Sequence, residues 1–303
     1  MPRAIRYERL ATERANPASR ALDRLGARAI AALMNREDAR AVRAVGREAA
    51  RIAAAVDLVV TALSRRGRLF FVGAGTSGRL GVLEAAECPP TFGTPPRLVQ
   101  AIMAGGRAAV FRSREGAEDD ARAAARAVRA RVRRGDVVVG VSASGVTPFV
   151  SGALAAARRL GAQTVLVSCN PSRGSVGARV VIAPSPGPEV LAGSTRLKAG
   201  TATKLVLNTL TTASMARLGK VYGNRMVDVQ PRSRKLRERA ARLVEELGGV
   251  TRPRARRLLA TSDGRVPVAI VMARARVPAA EAARRVRAAG GSLREALRGP
   301  RRR

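Results

Sequence analysis

The segment Val72-Gly73-Ala74-Gly75-Thr76-Ser77-Gly78-Arg79-Leu80-Gly81, followed by Glu84, Glu87 and Cys88-Pro89-Pro90, couples a glycine and hydroxyl turn to carboxylates one and two helical turns later. The apolar run Leu69 to Val72 reads as a buried strand and Leu80 to Glu87 as a helix, with the turn between them. Backbone N–H groups around Gly75 and the hydroxyls of Thr76 and Ser77 would then meet an anion at a helix N-terminus, where the dipole favours negative charge. The spacing of Gly73, Gly75 and Gly78 also fits a dinucleotide-binding turn, but Gln100 stands near where that pattern requires an acid.

Ser142, Ser144 and Thr147 flank Gly145 after a further apolar run, Asp136 to Val141, and repeat the layout of the first turn. Each hydrogen bond to a charged phosphate contributes about 1.5–3 kcal/mol, so several hydroxyls and backbone donors can hold one without arginine. Either turn alone is also an ordinary capped helix start. Two of them on the strands of one sheet point to a ligand. A third segment, Gly193-Ser194-Thr195-Arg196-Leu197-Lys198-Ala199-Gly200-Thr201, supplies Ser194, Thr195 and Lys198, which could close over the same anion.

Glu84 and Glu87 lie three apart, as do Glu115 and Glu118, so each pair is expected to share a helix face. Glutamates at a helix start are commonly solvated or complement the dipole. The chain has no histidine, however, so acid–base work near neutral pH falls to carboxylates, Lys, Tyr or Cys. A glutamate raised by burial to a pKa of about 6–7 is the usual substitute.

These side chains need a scaffold, and 303 residues with 46% apolar content can build one large or two ordinary domains. No apolar run reaches the roughly 18 residues that span a bilayer. Met1-Pro2-Arg3-Ala4-Ile5-Arg6 lacks the apolar core of a secretion signal, so a cytoplasmic location and no membrane partner are expected. Cys88 and Cys169 stand far apart, and with no histidine neither a disulfide framework nor a transition-metal site is expected. The formal charge of +35 would attract polyanions. Its cations are nearly all Arg spread along helix faces, and aromatic stacking platforms are only 2% of the chain, so no specific nucleic-acid partner is expected. Three of the four lysines, Lys198, Lys204 and Lys220, fall in one short segment, and Arg301-Arg302-Arg303 reads as a frayed tail.

Along the chain, residues 1–52 read as an N-terminal helical segment with a breaker near Asn35. Residues 53–230 alternate strands and helices. Strands are expected at Leu69–Val72, Arg97–Met103, Asp136–Val141, Gln163–Ser168 and Arg179–Ala183, and helices at Glu115–Arg133, Phe149–Leu160 and Lys204–Leu218. Such alternation predicts an α/β fold, a three-layer αβα sandwich with a parallel sheet, and ligands beyond the carboxyl ends of its strands. Tyr222 to Gln230 reads as an extended connector. Residues 231–303 form a small C-terminal helical domain with a basic tail, broken at Gly248-Gly249, Ser262-Asp263-Gly264 and Gly290-Gly291.

Two hydroxyl turns on a parallel sheet resemble the sugar isomerase (SIS) fold that binds phosphosugars. Longer strings resemble the N-acetylmuramic acid 6-phosphate etherases: Thr12-Glu13-Arg14-Ala15-Asn16-Pro17, Gly75-Thr76-Ser77-Gly78-Arg79-Leu80, Ala86-Glu87-Cys88-Pro89-Pro90-Thr91 and Glu115-Gly116-Ala117-Glu118-Asp119. So do Gly193 to Thr201 and Lys220-Val221-Tyr222-Gly223-Asn224-Arg225-Met226-Val227-Asp228. The resemblance covers nearly the whole chain. It implies an enzyme of cell-wall amino sugar recycling that removes the D-lactyl ether without metal or organic cofactor, by elimination and water addition. It implies Glu87 as proton donor to the departing lactate and Glu118 as the base at C2. Ser142, Ser144, Gly145 and Thr147 would hold phosphate with help from Ser77, and a homodimer is implied. Arg79, Arg196 or Lys198 could meet the lactyl carboxylate.

Two other readings stay open. An aldose–ketose isomerase on this fold typically uses a histidine for ring opening and a glutamate after the third loop, but this chain has no histidine and no acid between Glu189 and Asp228. A non-catalytic phosphosugar regulator or basic nucleic-acid binder would not need Glu87 and Glu118.

Overall fold

The computed structural model describes residues 8, 10–170, 177–229 and 233–299, so the basic tail and the Pro231 start of the C-terminal domain lie outside the described residues. The chain divides into two compact units, Met1–Ala86 with Pro96–Thr211 and Glu87–Pro95 with Thr212–Arg303.

Three short 3-10 turns, Ala11–Glu13, Pro17–Ser19 and Leu22–Arg24, precede helices α1 (Ala27–Gly46) and α2 (Ala49–Ser64) in the first unit. Helix α1 runs through Asn35 unbroken, contrary to the expected breaker, and ends instead after Gly46. One asparagine costs a helix only several tenths of a kcal/mol, and burial of Leu33, Glu37, Ala41 and Ala44 along one stripe outweighs it.

Strand β1 (Leu69–Gly73) leads into α3 (Gly75–Phe92), then β2 (Val99–Met103), α4 (Ala121–Arg131), β3 (Val137–Val141) and α5 (Pro148–Arg159). Strands β4 (Gln163–Val167) and β5 (Val180–Ile182) follow, then α6 (Lys198–Arg217). All pairings are parallel, in the order β2-β1-β3-β4-β5. Every residue of β1 and β3 is buried, as a sheet covered on both faces requires. Phe70, Val72, Val138 and Leu166 face α4 and α5, packing on Val128, Phe149, Val150 and Leu154. Phe71 points the other way, where Gly81 of α3 lies so close that a Cβ there would come within 2.8 Å of the Phe71 Cβ.

The expected helix over Glu115–Arg133 is shorter. It starts at Ala121, with the Asp120 side chain accepting from the Ala123 amide at 2.7 Å, and residues 115–120 form a turn with Gly116 at φ +76°. Helix α6 starts earlier than Lys204. The Glu189 carboxylate accepts from the amides of Lys198 and Ala199 at 3.0 and 2.8 Å, capping the helix from outside its own sequence neighbourhood.

In the second unit the expected connector contains a short hairpin, β6 (Val221–Tyr222) with β7 (Arg225–Met226). Five helices follow: α7 (Arg234–Gly248), α8 (Arg252–Thr261), α9 (Val266–Ala275), α10 (Ala279–Ala288) and α11 (Leu293–Arg298). Helix α9 is the centre, with Val266 through Met272 all buried among Leu243, Val244, Ala282 and Leu293. Among the described residues no helix is long and apolar enough to cross a membrane.

Candidate active site

The first turn is set by backbone contact between strand and helix. A Cβ on Gly78 would sit 2.6 Å from the Gly73 carbonyl oxygen, one on Gly73 would sit 2.8 Å from the Gly78 nitrogen, and Gly75 has φ +52°. The glycine spacing is therefore explained by this close approach and the left-handed residue between. Thr76 and Ser77 lie in the first turn of α3, where amides are free for an anion.

The second turn is a linked set of hydroxyls. Ser142, 2% exposed, has its Oγ 2.7 Å from Thr147 Oγ1 and 3.2 Å from Ser144 Oγ, and accepts from the Gly145 amide at 3.0 Å. Gly145 takes φ +79° and Pro148 opens α5. The Asn170 Nδ2 group donates to the Ala143 carbonyl at 2.9 Å and to Thr12 Oγ1 at 3.2 Å, while Asn170 Oδ1 accepts from the Ala11 amide at 2.7 Å. One amide side chain thus ties the N-terminal segment to this turn.

Strands β1 and β3 are neighbours although β2 lies between them in sequence, so their carboxyl ends form the topological switch point where open α/β sheets bind ligands. A cavity of 300 Å³ opens there. Gly75, Thr76 and Ser77 line one side, Ser144 and Thr147 another, and Thr195 and Glu118 line it as well. Glu118 is half-buried, and its backbone carbonyl accepts from the Phe149 amide at 2.9 Å, which fastens the 115–120 turn to the start of α5. A volume near the lower end of the roughly 300–1,000 Å³ common for ligand pockets suits one sugar phosphate.

The chain is similar to known proteins. The model of the glucokinase regulatory protein N-terminal SIS domain matches residues 51–158. An N-acetylmuramic acid 6-phosphate etherase of Gloeobacter violaceus is 54% identical over 294 residues, 95% of each chain. One from Synechocystis is 48% identical over 301 residues, 98% of this chain and 99% of that one. The chain belongs to the N-acetylmuramic acid 6-phosphate etherase family. Among solved structures, a phosphoheptose isomerase from Neisseria gonorrhoeae has 19% identity, with 59% of this chain and 94% of that chain covered and a TM-score of 0.42.

Not every residue singled out by the etherase resemblance reaches the cavity. Ser142, Gly145 and Ser194 are not lining residues, although Ser142 bonds to Ser144 and Thr147, which are. Glu87 is exposed and is not among the lining residues. Glu84 is buried and engages Thr211 Oγ1 and the Lys204 amine at 2.5 and 2.7 Å.

Lys198 does not line the cavity either. It is 1% exposed, and its amine donates to Glu37 Oε2 at 2.5 Å. Burial alone would raise the Glu37 pKa, but the hydrogen bonds from Lys198 and Asn16 and the charges of Lys198 and Arg40 outweigh it and hold the carboxyl below its ordinary value. Burial pushes Glu189 the other way, up from its ordinary value, despite its two amide donors. Arg79 lines the cavity with its guanidinium committed, Nε to the Val110 carbonyl at 2.8 Å and Nη2 to the Ala109 carbonyl at 2.9 Å. That makes it a clamp on the 109–110 segment.

Among the lining residues not singled out as contacts are the polar Glu13, Ser113, Arg114 and Glu115. Glu13 had a signal, since it sits in one of the family strings, and the Thr12 carbonyl accepts from the Gly193 amide at 3.2 Å to place it there. Ser113 and Arg114 had none, lying in a segment read as the approach to a helix.

Proposed function

We propose that the chain cleaves the D-lactyl ether of N-acetylmuramic acid 6-phosphate, giving N-acetylglucosamine 6-phosphate and D-lactate. The observation that carries this reading is the attachment of Glu118 to the hydroxyl turn at the switch point, in a chain of this family. Phosphate binds Ser144 and Thr147, with Ser142 orienting both and Thr76 and Ser77 donating from the facing helix start.

In the open-chain sugar the C1 aldehyde acidifies the C2 proton, and Glu118 removes it. The electron pair forms a C2–C3 double bond as the C3–O bond breaks, and Glu87 protonates the departing lactate oxygen. Water then adds its oxygen to C3 of the unsaturated aldehyde, and a proton returns to C2. Each acid or base step contributes about 10² to 10⁴ in rate. No metal or organic cofactor has a part in this sequence.

The proposal includes the homodimer that the family resemblance implies, with Glu87 of a second copy completing the site. A cytoplasmic location belongs to the same reading, since the substrate is a phosphorylated sugar. The test is release of D-lactate by purified protein in water enriched in heavy oxygen. The label is expected at C3 of the product sugar; incorporation of the label into lactate instead, or no lactate at all, overturns the proposal.

A further inference from the structure

The second unit contains a cavity of 670 Å³, larger than the candidate active site, and the proposed reaction does not use it. Its floor is apolar: Val229, Val266, Val268 and Ala283 line it and are buried. Its charged lining is Lys220, Asp228, Asp263, Arg265 and Arg287. Lys220 and Asp228 belong to the string Lys220 to Asp228 that marks the family resemblance, and neither reaches the switch-point cavity.

The charges do not cancel. Lys220 Nζ and Asp228 Oδ2 form an ion pair at 2.7 Å. Arg265 donates through Nε to the Ser262 carbonyl at 3.0 Å, and its Nη2 stands 3.9 Å from Asp263, whose side chain is 88% exposed. Arg287 is exposed, and among the described residues no hydrogen bond or ion pair engages its guanidinium. Helix α9 also begins at this cavity, and its cap residue, Arg265, offers no side-chain acceptor to the first amides. The Arg287 guanidinium therefore stands uncompensated above a valine floor.

We infer that this cavity is a second ligand site, for a small organic carboxylate with an apolar body. The guanidinium fork matches a carboxylate in a two-bond geometry, and the single excess charge suits a monoanion. Val229, Val266, Val268 and Val286 receive the apolar part. Lys220, held by Asp228, adds a directed donor at the edge.

The test is a titration of the full chain with butyrate and, separately, with inorganic phosphate, read from valine methyl resonances. Butyrate is expected to shift the methyls of Val229, Val266, Val268 and Val286 saturably, and Arg287→Ala to weaken that binding about tenfold or more. Ser144→Ala, in the other cavity, is expected to leave it unchanged. Absence of saturable shifts, or equal affinity in Arg287→Ala, overturns the site. Phosphate shifting these methyls at lower concentration than butyrate overturns the carboxylate assignment.

Discussion

The backbone carbonyl of Glu118 accepts the amide of Phe149 at 2.9 Å, joining the proposed base to the helix that follows the hydroxyl turn. If the proposed reaction holds, a substrate anchored at Ser144 and Thr147 would meet Glu118 on a turn whose backbone is tied to the start of α5.

Glu118→Gln is expected to lower lactate release by about 10² to 10⁴ and to abolish exchange of the C2 proton with solvent. Proton exchange is the decisive readout. If it persists while lactate release is lost, another group is the base.

Ser142→Ala removes the hydroxyl that links Ser144 and Thr147. A loss of about 1.5–3 kcal/mol in substrate binding, some 10- to 100-fold in kcat/KM, is expected if both partners must be oriented for phosphate. An unchanged kcat/KM would place the phosphate elsewhere.

Glu87→Gln and Glu118→Gln chains are each expected to be inactive alone. Co-expressed, they should recover about a quarter of wild-type activity, because half of randomly paired two-fold dimers carry one site with both glutamates intact. If both glutamates of a site came from one chain, every site would stay defective. No recovery would therefore place Glu87 and Glu118 in the same protomer.

Lys198→Met strips a buried carboxylate of its partner and is expected to cost about 3–5 kcal/mol of stability, measured by denaturant unfolding. Adding Glu37→Gln should restore part of it. The depressed Glu37 pKa means that this pair stabilises the fold fully above the ordinary carboxylate range and progressively less as pH falls through the depressed value. Glu189, raised by burial, runs oppositely, losing stability as pH rises from the ordinary value toward its raised one. Comparing wild type with Glu37→Gln across acid pH isolates the first effect; parallel curves would exclude it.

The strands were legible in the sequence because buried parallel strands are short continuous apolar runs bounded by turn residues, as in Leu69–Gly73 and Val137–Val141. The two hydroxyl turns were legible for the same reason, since each follows such a run, and the missing histidine left acid–base work to carboxylates, Lys, Tyr or Cys. Glu118 was within reach of that reasoning, although the helix it was assigned to begins only at Ala121. An alanine and arginine run does not mark its own first residue; Asp120 and the left-handed Gly116 do so only once the turn has packed.

What tertiary structure alone decided is which side chains are spent inside the protein and which remain for a ligand. Lys198 reads as a cation near hydroxyls, yet Glu37, 161 positions away, takes its amine. Glu189 sets the start of α6 from outside it, and Asn170 draws Thr12 and its neighbour Glu13 to the second turn across 158 positions. Local pattern fixes elements because propensity and periodicity act over a few residues. The lining of a cavity is fixed by pairings between distant segments, whose partners no local spacing encodes.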